Sequence, residues 1–105
     1  MNWKLLYLPE AARDLKRLSG SQRPIVIKAL NKVLQNPLPV NEGGYGKPLR
    51  KDLSGFYKIK LKDSGLRIVY KLIRTESEML VVVIGARADE EVYRTALHRA
   101  KKHDQ

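Results

Sequence analysis

Three cationic side chains, Lys58, Lys60 and Arg67, alternate with apolar residues in two neighbouring segments of the chain. Such alternation is typical of β-strands, in which every second side chain lies on the same face. The intervening Asp63-Ser64-Gly65 has the composition of a turn, so the two segments are predicted to form a hairpin. With residues 62–65 as the loop, Lys60 stands opposite Arg67 and all three cations share one face; a two-residue loop leaves the faces unchanged. The other face is apolar and is predicted to join the core, through Tyr57, Ile59, Leu61, Ile68 and Tyr70.

Grouped cations on one face indicate an anionic ligand. Like charges that oppose each other across strands destabilise a sheet by some tenths of a kcal/mol, so their grouping favours a bound phosphate. The same alternation is also typical of any strand with one solvated face, which is the better explanation for each lysine taken singly.

Two further residues extend the candidate site. Arg87 follows an apolar strand and precedes a helix, so it is predicted to lie in a loop at one end of the sheet, where functional groups are common. A solvated loop arginine would look the same. Tyr93 lies one turn into the last helix, where a tyrosine is more often a packing residue. His98 and His103 show no partner and are predicted to be surface residues.

The chain shows no histidine–carboxylate pair, no Ser/His/Asp order and no metal-ligand cluster, so no metal or cofactor is expected. An enzyme built on this set would work with lysine, arginine and tyrosine. That set suits phosphodiester cleavage by a neighbouring 2′-hydroxyl, because cations stabilise the charge of the transition state and a lysine crowded by cations can accept a proton. An arginine can neutralise the leaving oxygen. The need for a 2′-hydroxyl would restrict such a catalyst to RNA.

The charge distribution also indicates a polyanionic partner. The 105 residues carry a net charge of +10, and most of the excess lies between residues 47 and 74. Nucleic acid is the commonest polyanion for a small basic protein, although a merely soluble basic surface is about as good an explanation. The nine cations of this segment are Lys47, Arg50, Lys51, Lys58, Lys60, Lys62, Arg67, Lys71 and Arg74.

Composition excludes several other classes. With 43% hydrophobic and 30% charged residues, the chain is not of the disordered type. The absence of cysteine excludes a disulfide framework, a thiolate metal site and a cysteine nucleophile. The longest apolar run, Met79–Ile84, is too short to span a bilayer, and the first residues do not resemble a signal peptide. We expect a single domain over residues 1–105, located in the cytoplasm and not associated with membranes.

The first part of the chain predicts a strand and two helices. Trp3–Leu8 is predicted to be a strand, and Pro9 suits the first position of a helix that Gly20 is placed to end. Ser21 is placed to cap a second helix, which stops at Asn36 before a proline. Its apolar stripe comprises Val26, Ile27, Leu30, Val33 and Leu34. Such a pair could read DNA as a helix-turn-helix, but it is better explained as a cover on a sheet.

The remainder predicts a loop, three strands and a helix. Residues 36–55 are rich in glycine and proline and are predicted to form one long, irregular and mobile basic loop. Its glycine-rich run is not a phosphate loop, because Pro48 stands where a serine or threonine should open a helix. The predicted strands are Phe56–Leu61, Leu66–Ile73 and Met79–Ile84.

Asp89 is placed to cap the last helix, which has Val92, Ala96 and Ala100 as its packing stripe. The order β-α-α-β-β-β-α predicts an α+β domain with a mostly antiparallel four-stranded sheet, a helical hairpin packed on it and a C-terminal helix.

Four segments of the chain, taken together, resemble the RelE toxins of the RelE/ParE superfamily, which come from bacterial toxin–antitoxin pairs. These segments are Tyr57–Leu61, Ser64–Tyr70, Ile84–Arg87 and Glu91–Tyr93. The order of elements and the proline-initiated first helix also match, so the resemblance covers nearly the whole chain.

The resemblance implies a function and a set of roles. RelE-like toxins cut messenger RNA in the ribosomal A site by 2′-hydroxyl attack, without metal. By position, Lys58 and Lys60 would bind the scissile phosphate, with Lys60 a candidate base. Arg67 would stabilise the transition state, and Arg87 would serve the leaving 5′-oxygen. Tyr93 would orient or stack on a nucleotide, or share the acid–base work. The other cations predicted to contact RNA or the ribosome are Lys47, Arg50, Lys51, Lys62, Lys71 and Arg74.

The resemblance also implies partners and a rival function. The partners would be the ribosome with bound messenger RNA and an acidic, partly disordered antitoxin that forms a hetero-oligomer with the toxin. ParE-like members of the same fold poison DNA gyrase and cut nothing, and an inactive RNA-binding relative is a third alternative. The complete set of cations and tyrosine favours the nuclease. Two departures bear on potency: Leu66 stands where relatives often carry an aromatic residue, and Ala86 where many carry a basic one.

Overall fold

The computed structural model describes residues 2–86 and 89–103, and within them the chain forms five strands and three α-helices. The elements are β1 (Lys4–Tyr7), α1 (Pro9–Arg17), α2 (Gln22–Leu34), β2 (Lys47–Pro48), β3 (Phe56–Leu61), β4 (Leu66–Ile73), β5 (Glu78–Gly85) and α3 (Asp89–His103). The α+β class and the order of the predicted elements are confirmed. The predicted count of four strands is wrong, because β2 has two residues and is too short to show any periodicity.

The five strands form one sheet in the order β1-β5-β4-β3-β2. β1 runs parallel to β5, and every other neighbouring pair is antiparallel, so the mostly antiparallel sheet is confirmed. β5 has a partner on both sides and is buried along most of its length, as its apolar sequence requires. The pairing with β1 ends at Tyr7 and Val81, so no strand of the described residues covers the second half of β5 on that side.

The helical hairpin is joined differently from the prediction. α1 begins at Pro9 as predicted, but it ends at Arg17 and not at Gly20. The guanidinium of Arg23 donates hydrogen bonds to the carbonyl oxygens of Leu15, Lys16 and Leu18, at 3.3, 3.3 and 2.8 Å. A side chain from the next helix therefore satisfies the carbonyls that a glycine cap leaves to its own backbone.

The start and the buried stripe of α2 also differ in detail. The Ser21 side chain makes no capping hydrogen bond; the hydroxyl of Ser19 accepts the Gln22 N–H instead, at 3.2 Å. Val26, Leu30 and Val33 are buried, whereas Ile27 is 42% exposed. The predicted cap and the place of Ile27 in the stripe are therefore wrong.

Residues 36–55 are not one irregular loop, so that prediction is wrong. They contain 3₁₀ turns at Val40–Glu42 and Lys51–Leu53 in addition to β2. The hydroxyl of Tyr70, in the core, donates a hydrogen bond to the carbonyl of Pro37 at 2.8 Å. Backbone hydrogen bonds close the segment on itself, which ties it to the sheet.

The two faces of the sheet have different covers. The segment after α2 lies on the face of Tyr57 and Tyr70, whose rings contact each other. α3 lies on the opposite face, where its stripe of Val92, Ala96 and Ala100 is buried as predicted. Asp89 is the first residue of α3, but its side chain is not described, so the predicted cap stays a prediction. No helix in the described ranges is long and apolar enough to cross a membrane.

Candidate active site

The β3–β4 hairpin places three of the predicted site residues together. Its register pairs Lys60 with Arg67 and Lys58 with Val69, as predicted. Opposed residues of an antiparallel pair lie about 4.5–5.5 Å apart at Cα and share a face. The register therefore puts Lys58, Lys60 and Arg67 on one surface. Arg67 also donates a hydrogen bond to the carbonyl of Gly65 at 3.1 Å, which holds its side chain near the turn.

A fourth cation joins this surface from the strand that the sequence did not predict. β2 pairs Lys47 with Lys58, so Lys47 lies on the same face, one strand further out. Lys47 is exposed and Lys58 is half-buried. Lys71 belongs to the same face by register, but its ammonium lies 5.9 Å from the centre of the Phe56 ring. We call Lys47, Lys58, Lys60 and Arg67 the cationic face.

Tyr93 comes to the cationic face from α3. The ammonium of Lys58 lies 5.9 Å from the centre of the Tyr93 ring, within the range of a cation–π contact. The Tyr93 hydroxyl is buried and has no hydrogen-bond partner among the described residues. A buried hydroxyl without a partner is costly, so this group has an unmet hydrogen bond beside the cationic face.

The last predicted catalytic residue, Arg87, lies outside the described residues. The strand before it, β5, is described to its end, where Gly85 pairs with Arg67. The chain therefore leaves β5 beside the cationic face.

The other predicted RNA-binding residues lie in three places. Arg50 and Lys51 line a shallow groove of about 270 Å³ beside Tyr93. Lys62 lies in the β3–β4 turn, in a second groove of about 700 Å³ that Lys60 and α2 also line. Arg74 lies directly after β4 and forms a bidentate ion pair with Glu42, whose two carboxylate oxygens lie 2.9 and 2.7 Å from the guanidinium nitrogens. That contact holds the pKa of the Glu42 carboxyl below its usual value and raises the pKa of Arg74.

The two departures from the resemblance lie in different surroundings. Leu66 is 1% exposed and belongs to the core, so its side chain does not reach a ligand on the surface. Ala86 is exposed, directly after β5. Of the two positions, Ala86 is the one placed to change a surface contact.

Sequence reasoning missed the polar contacts that hold α3. Asp14 of α1 and Arg99 of α3 form an ion pair at 2.6 Å. The prediction that His103 has no partner is wrong, because its Nε2 lies 2.9 Å from a carboxylate oxygen of Glu10. The partners are 85 and 93 residues apart in the chain, so local sequence spacing cannot predict these contacts. Within residues 2–86 and 89–103, no three histidine, aspartate or glutamate side chains form a metal-binding cluster.

Comparison with known proteins decides the family. The family model described as "ParE toxin of type II toxin-antitoxin system, parDE" matches residues 5–91. The mRNA interferase toxin RelE of Escherichia coli (strain K12) is 33% identical over 89 residues, which cover 85% of this chain and 87% of that relative. The chain belongs to the RelE/ParE toxin superfamily. The resemblance stated from the sequence is thereby confirmed, and the chain is a toxin of the type II toxin–antitoxin class.

Solved structures of RelE/ParE proteins share the fold. Free E. coli RelE, in a double-mutant form, matches with a TM-score of 0.76 and 31% identity over 94% of this chain and 98% of that one. The toxin in the intact E. coli RelBE toxin–antitoxin complex matches with a TM-score of 0.65 and 28% identity, over 82% and 98% of the two chains.

Proposed function

We propose that this chain is a ribosome-dependent endoribonuclease that cuts messenger RNA in the A site by 2′-hydroxyl attack, without a metal. The observation that carries the proposal is the cationic face with Tyr93 above it. Cations from three strands and an aromatic ring from a helix meet on one surface, which is the combination that a phosphodiester and its flanking base require. The relative from E. coli that is named an mRNA interferase supports the same activity.

In this proposal the substrate supplies the nucleophile. The 2′-oxygen attacks the adjacent phosphorus, the bond to the 5′-oxygen breaks, and the product ends in a 2′,3′-cyclic phosphate. Lys60 is the candidate base for the 2′-proton, and Lys58 binds the phosphate. Arg67 neutralises the charge that develops on the phosphate oxygens, and Arg87 serves the leaving 5′-oxygen. The ribosome would align the 2′-hydroxyl with the phosphate, and such alignment contributes several kcal/mol.

The remaining cations and Tyr93 would hold the RNA. Tyr93 stacks on or orients a nucleotide, and its unpartnered hydroxyl offers a hydrogen bond. Lys47 extends the cationic face along the RNA backbone, and Arg50 and Lys51 continue it beside Tyr93. The ion pair of Arg74 with Glu42 makes it the weakest candidate of the set.

The proposed partners are the ribosome with its message and an acidic antitoxin, all in the cytoplasm. The net charge of +10 supports an acidic partner, because opposite charge speeds association and selects the partner. The E. coli relative has been solved as a toxin–antitoxin complex, which supports a hetero-oligomer here. Because it packs through a small-residue stripe, α3 is a candidate site for antitoxin contact or displacement.

A matched pair of variants tests the nuclease. Lys60→Ala should slow cleavage of ribosome-bound messenger RNA by about 10²–10³, the usual cost of one lost transition-state contact. Lys4→Ala is the control, since Lys4 is also an exposed lysine but lies on β1, three strands away from Lys60, and its loss should leave the rate unchanged. Equal rates for Lys60→Ala and the wild type would refute the assignment of the site.

A second candidate function is poisoning of DNA gyrase, because the matching family model is described as ParE. Purified protein should then block gyrase supercoiling without cutting any nucleic acid. Inhibition of supercoiling by both the wild type and Lys60→Ala, with no cleavage of the message by either, would support this function and exclude the nuclease.

A further inference from the structure

One ion pair joins α1, α3 and β5 at the edge of the sheet. The guanidinium of Arg99 lies 2.6 and 3.2 Å from the two carboxylate oxygens of Asp14. The side chains are only 16% and 10% exposed. An ion pair that is this far buried is expensive to break from one side, because the other charge is left without a partner.

The same two side chains complete the open edge of β5. Beyond the last pair with β1, the carbonyl of Val82 accepts a hydrogen bond from Arg99 at 3.0 Å. The N–H of Ile84 donates to the carboxylate of Asp14 at 3.0 Å. Arg99 is therefore held to the strand and to the carboxylate at once, in a geometry that a lysine cannot reproduce.

This anchor matters for α3 because part of the buried stripe of the helix consists of alanines. Ala96 and Ala100, two of the three buried residues among the described side chains of α3, are small and resist sliding and rotation of the helix only weakly. Tyr93 lies six residues before Arg99, about 9 Å along the axis and on a different side of the helix. Rotation of α3 about its axis would therefore carry the Tyr93 ring away from Lys58.

We propose that Asp14 and Arg99 are positioning residues for Tyr93: together they fix the rotation of α3 that places the Tyr93 ring over Lys58. The consequence for cleavage rests on the proposed function, whereas the effect on the position of Tyr93 does not. The contact between Glu10 and His103 also joins α1 to α3, but at the last turn of the helix, ten residues after Tyr93. It provides a matched control.

The position of Tyr93 can be measured without any activity. The chain contains five tyrosines, so protein labelled with fluorotyrosine gives five fluorine NMR signals, and Tyr93→Phe identifies one of them. Asp14→Asn should shift or broaden the Tyr93 signal and leave the signal of Tyr70, in the core, in place. Glu10→Gln should leave both unchanged. An unmoved Tyr93 signal in Asp14→Asn would overturn the proposal. If Asp14→Asn does not fold, Arg99→Lys serves in its place, with the same expected shift.

The effect on cleavage is measured by a double-mutant cycle. Asp14→Asn should lower kcat on ribosome-bound message by about 10- to 10²-fold with KM unchanged, since a misplacement of about 1 Å costs up to about 10²-fold. In a Tyr93→Ala background the same substitution should cost nothing further. Independent, additive losses would overturn the positioning role. A shifted Tyr93 signal in a protein that cuts no RNA would instead retain the positioning role and refute the nuclease.

Discussion

Replacing Tyr70 by phenylalanine removes one oxygen atom from the core and tests how firmly residues 37–46 are tied to the sheet. Tyr70 is 0% exposed, and its hydroxyl donates to the carbonyl of Pro37 at 2.8 Å. The substitution leaves that carbonyl without this donor beside a buried proline. A buried acceptor without a hydrogen-bond donor costs about 1–3 kcal/mol, so we expect the free energy of unfolding to fall by about that amount.

The pH dependence of this difference follows from the pKa of Tyr70. Burial, and then the neighbouring Tyr57, raise the pKa of the Tyr70 hydroxyl above its ordinary value of 10.0. The folded state therefore favours the protonated hydroxyl, and the resulting stability is fully present below pH 10 and lost as the pH rises above it. The free energy of unfolding of the wild type should exceed that of Tyr70→Phe by a constant amount below pH 10, and by less as the pH rises above 10.

Urea denaturation followed by circular dichroism measures both effects. Tyr45→Phe is the matched control, because Tyr45 lies in the same segment and is 48% exposed, so its hydroxyl should contribute little. Gly46→Ala provides a second test, since an added Cβ would collide with the Tyr70 hydroxyl, and it should cost less in the Tyr70→Phe background. A Tyr70→Phe protein as stable as Tyr45→Phe would refute the reasoning.

Further predictions concern the core, the cationic face and the acid range. In urea denaturation, Ile68→Ala should lower the free energy of unfolding by about 2–5 kcal/mol. Ile59→Ala should lower it by less, because Ile59 is only half-buried. Lys60→Ala and Arg67→Ala should each change the free energy of unfolding by less than about 1 kcal/mol; unfolding of either variant would show that the face assignment is wrong. A hydrogen bond from its own backbone and the contact with His103 lower the pKa of Glu10 from 4.5 to about 2, so the stability it contributes is present above pH 4.5 and lost as the pH falls towards 2. Glu10→Gln should therefore weaken the dependence of the melting temperature on pH between 4.5 and 2. An unchanged dependence would contradict the lowered pKa of Glu10.

The strands and their register were predictable because local patterns determine them. The turn at 62–65 and the alternation on either side admit one set of faces, and the pairing of Lys60 with Arg67 follows from counting. The same logic placed Tyr57 and Tyr70 in the core. The family motif added Tyr93, which alternation alone could not assign to the site.

The features that escaped prediction depend on partners far away in the chain. β2 is too short to show a period, so the sequence did not reveal that Lys47 stands beside Lys58. Arg23, in the second helix, takes the role of a glycine cap for the first helix, and Asp14 forms an ion pair with Arg99, 85 residues away in the chain. Such contacts arise from tertiary packing, in which propensity and spacing carry no information about the partner.

Cleavage of a ribosome-bound message that carries a single 2′-deoxy nucleotide tests the central claim most directly. The all-ribose message should be cut to a product with a 2′,3′-cyclic or 3′-phosphate end, equally well with and without a chelator. The message with a 2′-deoxy nucleotide on the 5′ side of the scissile phosphate should survive at that position, because the nucleophile is missing. Cleavage of the 2′-deoxy message at the same position and rate would contradict the mechanism.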